Sequence, residues 1–426
     1  MEDPIVIPRT EHPISRRMID EEALKVLYRL HRHGFFACLV GGSVRDLLLG
    51  KVPKDFDVAT NAHPHEINVL FKNSRVIGRR FRLAQVFFRG GKIVEVSTFR
   101  SRSKFEEIET EEGNTIQKES FGTPGEDALR RDITINGLFY NIADFSIIDY
   151  VGGMEDLKRR IIRTIGDPGE RFQHDPVRMI RVLRHAARTG FSIENQTYQA
   201  ILHHRGEIQR CSPSRLRDEF LRDLKEGVAK DSLHLMLQTD LLLSLFPDLH
   251  RIFGDRNPFK DREKEYFLSL FGLVDQLVKI NRSISESILQ ALFLIPFLRG
   301  VTPEHSFLRE REKHIYMIQT IHWAVHHLLN PFSFPKRTKE MASQILIAQS
   351  TLRKALQRGI IPKRLRMKKY FQEAVLFFGI EAEARGERVP RLLHNTVPSD
   401  FLPWWPKGLK RRRRRSGHGV PSLMQH

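Results

Sequence analysis

Two aspartates separated by one residue, Asp55 and Asp57 in the stretch DFDVAT, follow a glycine pair, Gly41-Gly42, in the stretch LVGGSVRDLLLG. Residues i and i+2 of a strand share a face, so a strand over DFDVAT points both carboxylates away from Phe56. Clustered carboxylates repel each other, and a divalent cation offsets that charge most simply. Mg²⁺ takes hard oxygen ligands while keeping waters and substrate phosphates. Taken alone, the pair reads more readily as a solvated strand edge. The glycines change the weight. They stand between an apolar run and a short helix, where backbone amides cradle phosphate. Arg45, in the first turn of that helix, adds a bidentate phosphate donor, while Asp46 reads as a helix-surface charge. Phosphate grip and metal carboxylates on adjacent elements predict a site for a nucleoside triphosphate with metal.

The elements that must hold these groups follow from the local pattern. Asp20 opens a helix with Ala23, Leu24, Leu27 and Leu30 on one face, and Gly34 ends it. FFACLV is a buried strand, SVRDLLLG a short helix stopped by Gly50, and HPHEINVLFK a further helix. SRVIG, LAQVFF and KIVEVSTF are strands, with Gly90-Gly91 as a hairpin turn before the last. Residues 101–125 are polar and acidic and read as a mobile loop. EDALRRDITINGLFYN follows a helical pattern, and FSIIDYV is a final strand. Helical periodicity prevails from about Arg171 to Gly379, interrupted by Pro and Gly breaks. The expected fold is α+β, with a short mixed sheet and helices over residues 1–153. Two helical domains follow, over 154–235 and 236–400, and then a disordered basic tail over 401–426.

The chain has 426 residues, too many for one compact core. It carries 70 Lys and Arg against 51 Asp and Glu, a net charge of +19. That excess favours a polyanionic partner, most simply nucleic acid, over an anionic membrane surface. The tail concentrates it in Lys407, Lys410, Arg411, Arg412, Arg413, Arg414 and Arg415. No apolar run is long enough to span a membrane, and MEDPIVIPRTEHPISRR lacks the apolar core of a secretory signal. The two cysteines, Cys38 and Cys211, lie far apart in sequence. This argues against a disulfide framework or zinc cluster and fits a reducing cytoplasm.

LVGGSVRDLLLG and PKDFDVAT, then RRDITINGL and HDPVRMIRVLRHA, resemble the class II nucleotidyltransferases of the polymerase-beta superfamily. These are the tRNA CCA-adding enzymes and the bacterial poly(A) polymerases, and the motifs occur in the family's order over about residues 35–190. The resemblance implies two-metal nucleotidyl transfer, in which an RNA 3′-hydroxyl attacks a nucleotide α-phosphate and pyrophosphate leaves. It places two Mg²⁺ ions on Asp55 and Asp57, and the triphosphate on Gly41, Gly42 and Arg45. Arg131, Asp132 and Asn136 match the motif that contacts ribose and phosphates. Asp132 is one candidate for a third carboxylate. Glu95 is the other: it sits in an otherwise apolar strand, where a lone charge needs a partner. That partner is either the metal or an arginine within the fold, and the choice between Asp132 and Glu95 stays open.

Asp175, Arg178, Arg181 and Arg184 recur every three residues, so on a helix they sweep slowly round one surface. By resemblance, Asp175 and Arg178 belong to the Glu-Asp-x-x-Arg element that reads the nucleotide base, with Arg181 beside them. His174 replaces the family's Glu, and an imidazole donates as well as accepts, which puts that residue's base contact in question. VIGRRFRLAQV is similar to the signature of bacterial poly(A) polymerases, with Gln85 in its variable slot. Its Arg79, Arg80 and Arg82, like the tail, suit RNA phosphates. The resemblance implies an RNA 3′-adenylyltransferase that uses ATP, acts on RNA 3′ ends and admits RNA-decay proteins as partners. By the same resemblance, residues 1–153 are catalytic, 154–235 a nucleotide-selecting neck and 236–400 an RNA-binding domain. A CCA-adding or A-adding enzyme is the alternative, and an inactive RNA-binding relative a further one. The three intact carboxylates Asp55, Asp57 and Asp132 weigh against the inactive relative. Transfer to a protein or antibiotic fits the basic charge and long helical half less well.

Overall fold

A computed structural model of the chain describes residues 3–78, 82–101, 106–109, 115–118, 121–299, 309–388 and 391–394. The expected roles of Arg79, Arg80 and the basic segment from Lys407 to Arg415 fall outside them. The chain forms two compact units. One comprises Met1–Asp223 with Asp231–Pro247, the other Leu224–Lys230 with the chain from Asp248 onward.

The first unit is built on an eight-stranded mixed sheet. Its strands are β1 Ile5–Ile7, β2 Ala37–Val40, β3 Asp57–Thr60, β4 Ser74–Ile77, β5 Leu83–Phe87 and β6 Ile93–Thr98, then β9 Leu138–Asn141 and β10 Ile147–Asp149. The spatial order is β1-β10-β9-β2-β3-β6-β5-β4. Every pairing is antiparallel except β3 with β6, which runs parallel in the register Asp57↔Glu95, Val58↔Val96. One sheet face is sealed by Leu39, Val58, Val96, Ala84 and Val86 against Ala23, Val26, Leu27 and Leu30 of helix α1, Glu21–Arg32. Asp20 caps that helix by accepting from the amides of Glu22 and Ala23. The opposite face holds a smaller cluster of Cys38, Val40, Ala59, Phe99, Ala128, Phe139 and Ile148. Helices α2 Gly42–Leu48 and α3 Pro64–Leu70 follow β2 and β3, and α4 Pro124–Arg130 precedes β9.

Three local expectations are corrected. Residues 101–125 contain an antiparallel hairpin of β7 Glu106–Glu109 and β8 Thr115–Lys118, with Ile108 paired to Ile116. EDALRRDITINGLFYN is not one helix: α4 stops at Arg130, a 3-10 turn covers Thr134–Asn136, and β9 then pairs with β2 and β10. A four-residue run buried throughout carries no period of its own, and the strands on either side decide its conformation. The third correction concerns Asp55. The strand begins at Asp57, so Asp55 lies ahead of it and the i, i+2 argument does not fix its direction.

Beyond the sheet the chain turns helical, as expected. The first unit continues with α5 Gly153–Arg159, α6 Pro168–His174, α7 Val177–Thr189 and α8 Asn195–His204, plus a short parallel pair, β11 Ile161–Ile162 with β12 Ser192–Ile193. Helices α9 Pro213–Lys225, α10 Ala229–Gln238 and α11 Leu241–Leu245 follow. The described helices after that are α12 His250–Phe253, α13 Lys260–Lys279, α14 Glu286–Arg299, α15 Glu310–His327, α16 Lys336–Gln357, α17 Lys363–Arg366 and α18 Phe371–Ala384, with a last turn at Arg391–His394. Helix α14 is buried continuously from Ser287 to Phe297, as a helix apolar on all sides must be. Phe267 and Phe271 of α13 pack edge-on with each other, and Phe267 with Phe293 of α14, at the centre of the second unit.

Candidate active site

Register places the first group of site residues. Asp57 pairs with Val40 of β2, and Val40 belongs to the smaller cluster, so Asp57 projects on that same face at its open end. Glu95 is the register partner of Asp57 and points the same way. Alternation along β6 confirms this, because Val94 and Val96 are buried while Glu95 is exposed. Glu95 accepts a hydrogen bond from Gln85 Nε2 at 3.1 Å, so the partner shown for it is an amide. Asp57 is open to solvent, yet its carboxyl is pushed up to about 6. Partial loss of hydration among surrounding protein atoms is the largest cause, and repulsion from Glu95 and then Asp55 adds to it. Among the described residues Arg131 pulls the other way.

The glycine turn meets this face. Gly41 adopts φ +73°, a conformation that disfavours other residues, and a Cβ there would stand 3.1 Å from Nη1 of Arg131. Arg131 itself lies over the Phe139 ring and bonds Asp127 at 3.0 Å. Gly41, Asp57, Glu95 and Arg131 are thus brought together, with cation, carboxylates and turn amides on one side of the sheet.

A second group gathers around α7. Arg178 donates to the carbonyls of Arg130 and Arg131, at 3.0 and 3.1 Å, which closes the C-terminal end of α4. It also pairs with Asp132 at 3.0 Å, and Arg181 reaches the other Asp132 oxygen at 2.6 Å. Asp132 is therefore neutralised by two guanidinium groups, whereas Glu95 stands beside Asp57. Asp175, between α6 and α7, lies 3.5 Å from Arg178 and is held on both oxygens at 2.7 Å by Arg215 of α9. His174 ends α6 exposed, and Arg82 is exposed just before β5. Arg184 continues the sweep to Glu219 and Asp223.

Arg45 goes elsewhere than expected. It is 1% exposed and lies under Gly42, bonded to Asp46 at 2.8 Å, Asn136 at 2.7 Å and His185 at 3.3 Å. Arg188 of α7 reaches the other Asp46 oxygen at 3.0 Å. Burial, then Arg45 and the α7 arginines, holds the His185 pKa well below the usual histidine range. In this structure Arg45 and Asn136 support the glycine turn from within. Sequence reasoning missed Arg215, Arg188 and His185, since each earns its place through partners 40 or more positions away.

Among the described residues no three His, Cys, Asp or Glu side chains form a metal-binding group. The donors present still suit a hard cation. Asp57 and Asp55 offer carboxylate oxygens, Glu95 adds like charge, and their mutual repulsion is relieved when a cation shares them.

Comparison with known proteins finds two matched stretches. Residues 37–163 match the family described as "Poly A polymerase head domain", and residues 190–253 match "Probable RNA and SrmB- binding site of polymerase A". Over these two stretches the chain is similar to the class II nucleotidyltransferases, the poly(A) polymerase and CCA-adding family. Within it, poly(A) polymerase I of Escherichia coli O6:H1 is 47% identical over 256 residues, covering 59% of this chain and 55% of the relative. The CCA-adding enzyme of Anoxybacillus flavithermus is 38% identical over 228 residues, covering 54% and 56%. The crystal structure of the Bacillus stearothermophilus CCA-adding enzyme in complex with CTP aligns over 90% of this chain and 81% of that one, with TM-score 0.63 and 25% identity. The chain spans about half the length of the curated relatives it matches. No described helix is long and apolar enough to cross a membrane.

Proposed function

We propose that the chain is a template-independent RNA 3′-adenylyltransferase, adding AMP from ATP to RNA 3′ ends with release of pyrophosphate. The observation that carries the chemistry is the set of like charges at Asp57, Glu95 and Asp55 beside the glycine turn and Arg131. Asp55 and Asp57 would hold divalent metal, Mg²⁺ by family likeness, with Glu95 as the nearer third carboxylate. Bound there, the metal supplies charge neutralisation and a more acidic 3′-hydroxyl. The turn amides and Arg131 take the triphosphate. Asp175 and Arg178 face the base, each already oriented by Arg215, Asp132 and the α4 carbonyls. As the 3′-oxygen bonds to the α-phosphorus and loses its proton, the bond to pyrophosphate breaks.

ATP is favoured over alternating CTP and ATP by the GRRFRLAQV stretch and by 47% identity to a poly(A) polymerase against 38% to a CCA-adding enzyme. The CCA-adding reading keeps one observation, the similarity to a structure solved with CTP. One assay separates them: supply Mg²⁺, a generic RNA or a tRNA lacking CCA, and single labelled nucleotides. Long runs of AMP on the generic RNA, lost in Asp57→Ala while RNA binding survives, are expected. Addition of two CMP and one AMP to the tRNA, with termination there, would establish the alternative.

A further inference from the structure

Helix α15 has one face in the core of its unit and one without cover. Ile321, Ala324, Val325 and Leu328 are buried. On the outer side Ile315, Tyr316 and Trp323 are 47%, 40% and 50% exposed. Positions 316, 323 and 327 recur at seven and four residues, so Tyr316, Trp323 and His327 form one line along the helix. The Trp323 and His327 rings lie nearly parallel, 14° between planes and 5.5 Å between centroids. His327 is fixed by a hydrogen bond from Nδ1 to the Trp323 carbonyl at 3.1 Å. The indole is thus held flat against one partner with its other face towards solvent. Tyr316 stands two turns away, about 10 Å along the axis.

The surroundings are basic. From Lys313 to Lys339 the chain contains no Asp or Glu, but carries Lys313, Lys336, Arg337 and Lys339 with four histidines. Helix α16, which packs on α15, begins with these last three cations. Partial desolvation, then Lys339 with His322 and His327, lowers the His326 pKa, and Glu340 acts the other way. The first acid beyond is Glu340, already near Lys336 at 3.9 Å. Among the described residues the histidines do not assemble into a metal-binding group. A lipid-inserting face would want aliphatic side chains, and here Ile315 is the single exposed one on this helix. A flat, preorganised ring with cations on the adjoining helix suits an unpaired base with its phosphates.

We propose that the outer face of α15, with Tyr316 and the Trp323–His327 pair, and with Lys336 and Lys339 at the start of the adjoining α16, binds single-stranded RNA by base stacking. It constitutes an RNA contact beyond the stretch matched at residues 190–253. The proposal rests on RNA being the acceptor, and its test keeps the two apart. Trp323 is one of three tryptophans, the others being Trp404 and Trp405. In the full chain carrying Trp404→Phe and Trp405→Phe, fluorescence comes from Trp323. Titration with an oligo(A) of about twelve nucleotides should quench it saturably. Trp323→Ala should weaken oligo(A) binding roughly tenfold and Trp323→Phe much less, the scale for losing one stacked base. Lys336→Glu with Lys339→Glu, both remote from the core, should flatten the dependence of affinity on salt. Oligo(A) binding without quenching, and unchanged in Trp323→Ala, overturns the α15 contact and leaves RNA as acceptor standing. A blue shift with phosphatidylglycerol vesicles but not with RNA, or quenching by self-association, overturns it also. Failure of the full chain to bind RNA at all removes both.

Discussion

Asp57 is the residue at which position and charge conflict most plainly. Its carboxyl is raised from 3.8 to about 6, so the folded chain holds a proton there that the unfolded chain has released. Between those values stability is lost as pH rises, and the cost persists above about 6. Asp57→Asn removes the repulsion. We expect a higher melting temperature than wild type at pH 7.5 without added metal, and a clearly smaller difference at pH 5, where Asp57 is largely protonated. Thermal melts at the two pH values decide this, and an equal gain at both would mean that charge is not the cause. The glycine turn and Asp57 were legible from residue type and spacing. The burial of Arg45 was not, because a helix of seven residues does not reveal which side its fourth member faces. That is decided by Asn136 and His185, which the chain supplies 91 and 140 positions later. Glu95 against Asp132 could be weighed only once strand register and the α7 arginines were visible.

Helix α7 is the element that ties the first unit together. Its arginines at three- and four-residue steps meet acids on three other segments: Asp132 after α4, Glu219 and Asp223 on α9, and Asp46 on α2. The sequence showed the sweep but not the acids, which the tertiary fold chooses. Asp46 is the most consequential of them, because it serves Arg45 on one oxygen and Arg188 on the other. Asp46→Ala deprives a nearly fully buried guanidinium of its carboxylate and should cost about 3–5 kcal/mol. Arg188→Ala, at a side chain 35% exposed, should cost distinctly less. Urea unfolding compares the two, and equal midpoints would show that the tie to α2 does not depend on burial. The strands with alternating or β-branched sequence, β5 and β6 among them, were readable. By contrast β9 and the β7–β8 hairpin were not, since cross-strand pairing overrides a weak local pattern.

At the scale of the whole molecule, the net charge of +19 sets how the protein meets RNA. Deleting Lys407 to Arg415 removes seven cations. It should weaken RNA binding and flatten the plot of log affinity against log salt by up to about five units of slope, at roughly 0.7 per phosphate released. Turnover at saturating RNA should change little, and an unaltered slope would assign the segment to another partner. The sheet order carries a different consequence, for how the protein is made. Five neighbouring strands, β2-β3-β6-β5-β4, come from one continuous stretch, residues 37–98, and have all their mutual partners as soon as that stretch exists. The other three do not. Ile5 pairs with Asp149, so β1 waits through roughly 7–30 s of synthesis at ordinary ribosomal rates before β10 emerges. The carboxylates of Asp57 and Glu95 are side by side in the early half, while Arg131, the cation that offsets the charge of Asp57, arrives with the late half. For that interval the nascent chain holds an acidic notch without its counterion and a hydrophobic first strand, Ile5 and Val6, without a neighbour to cover its edge.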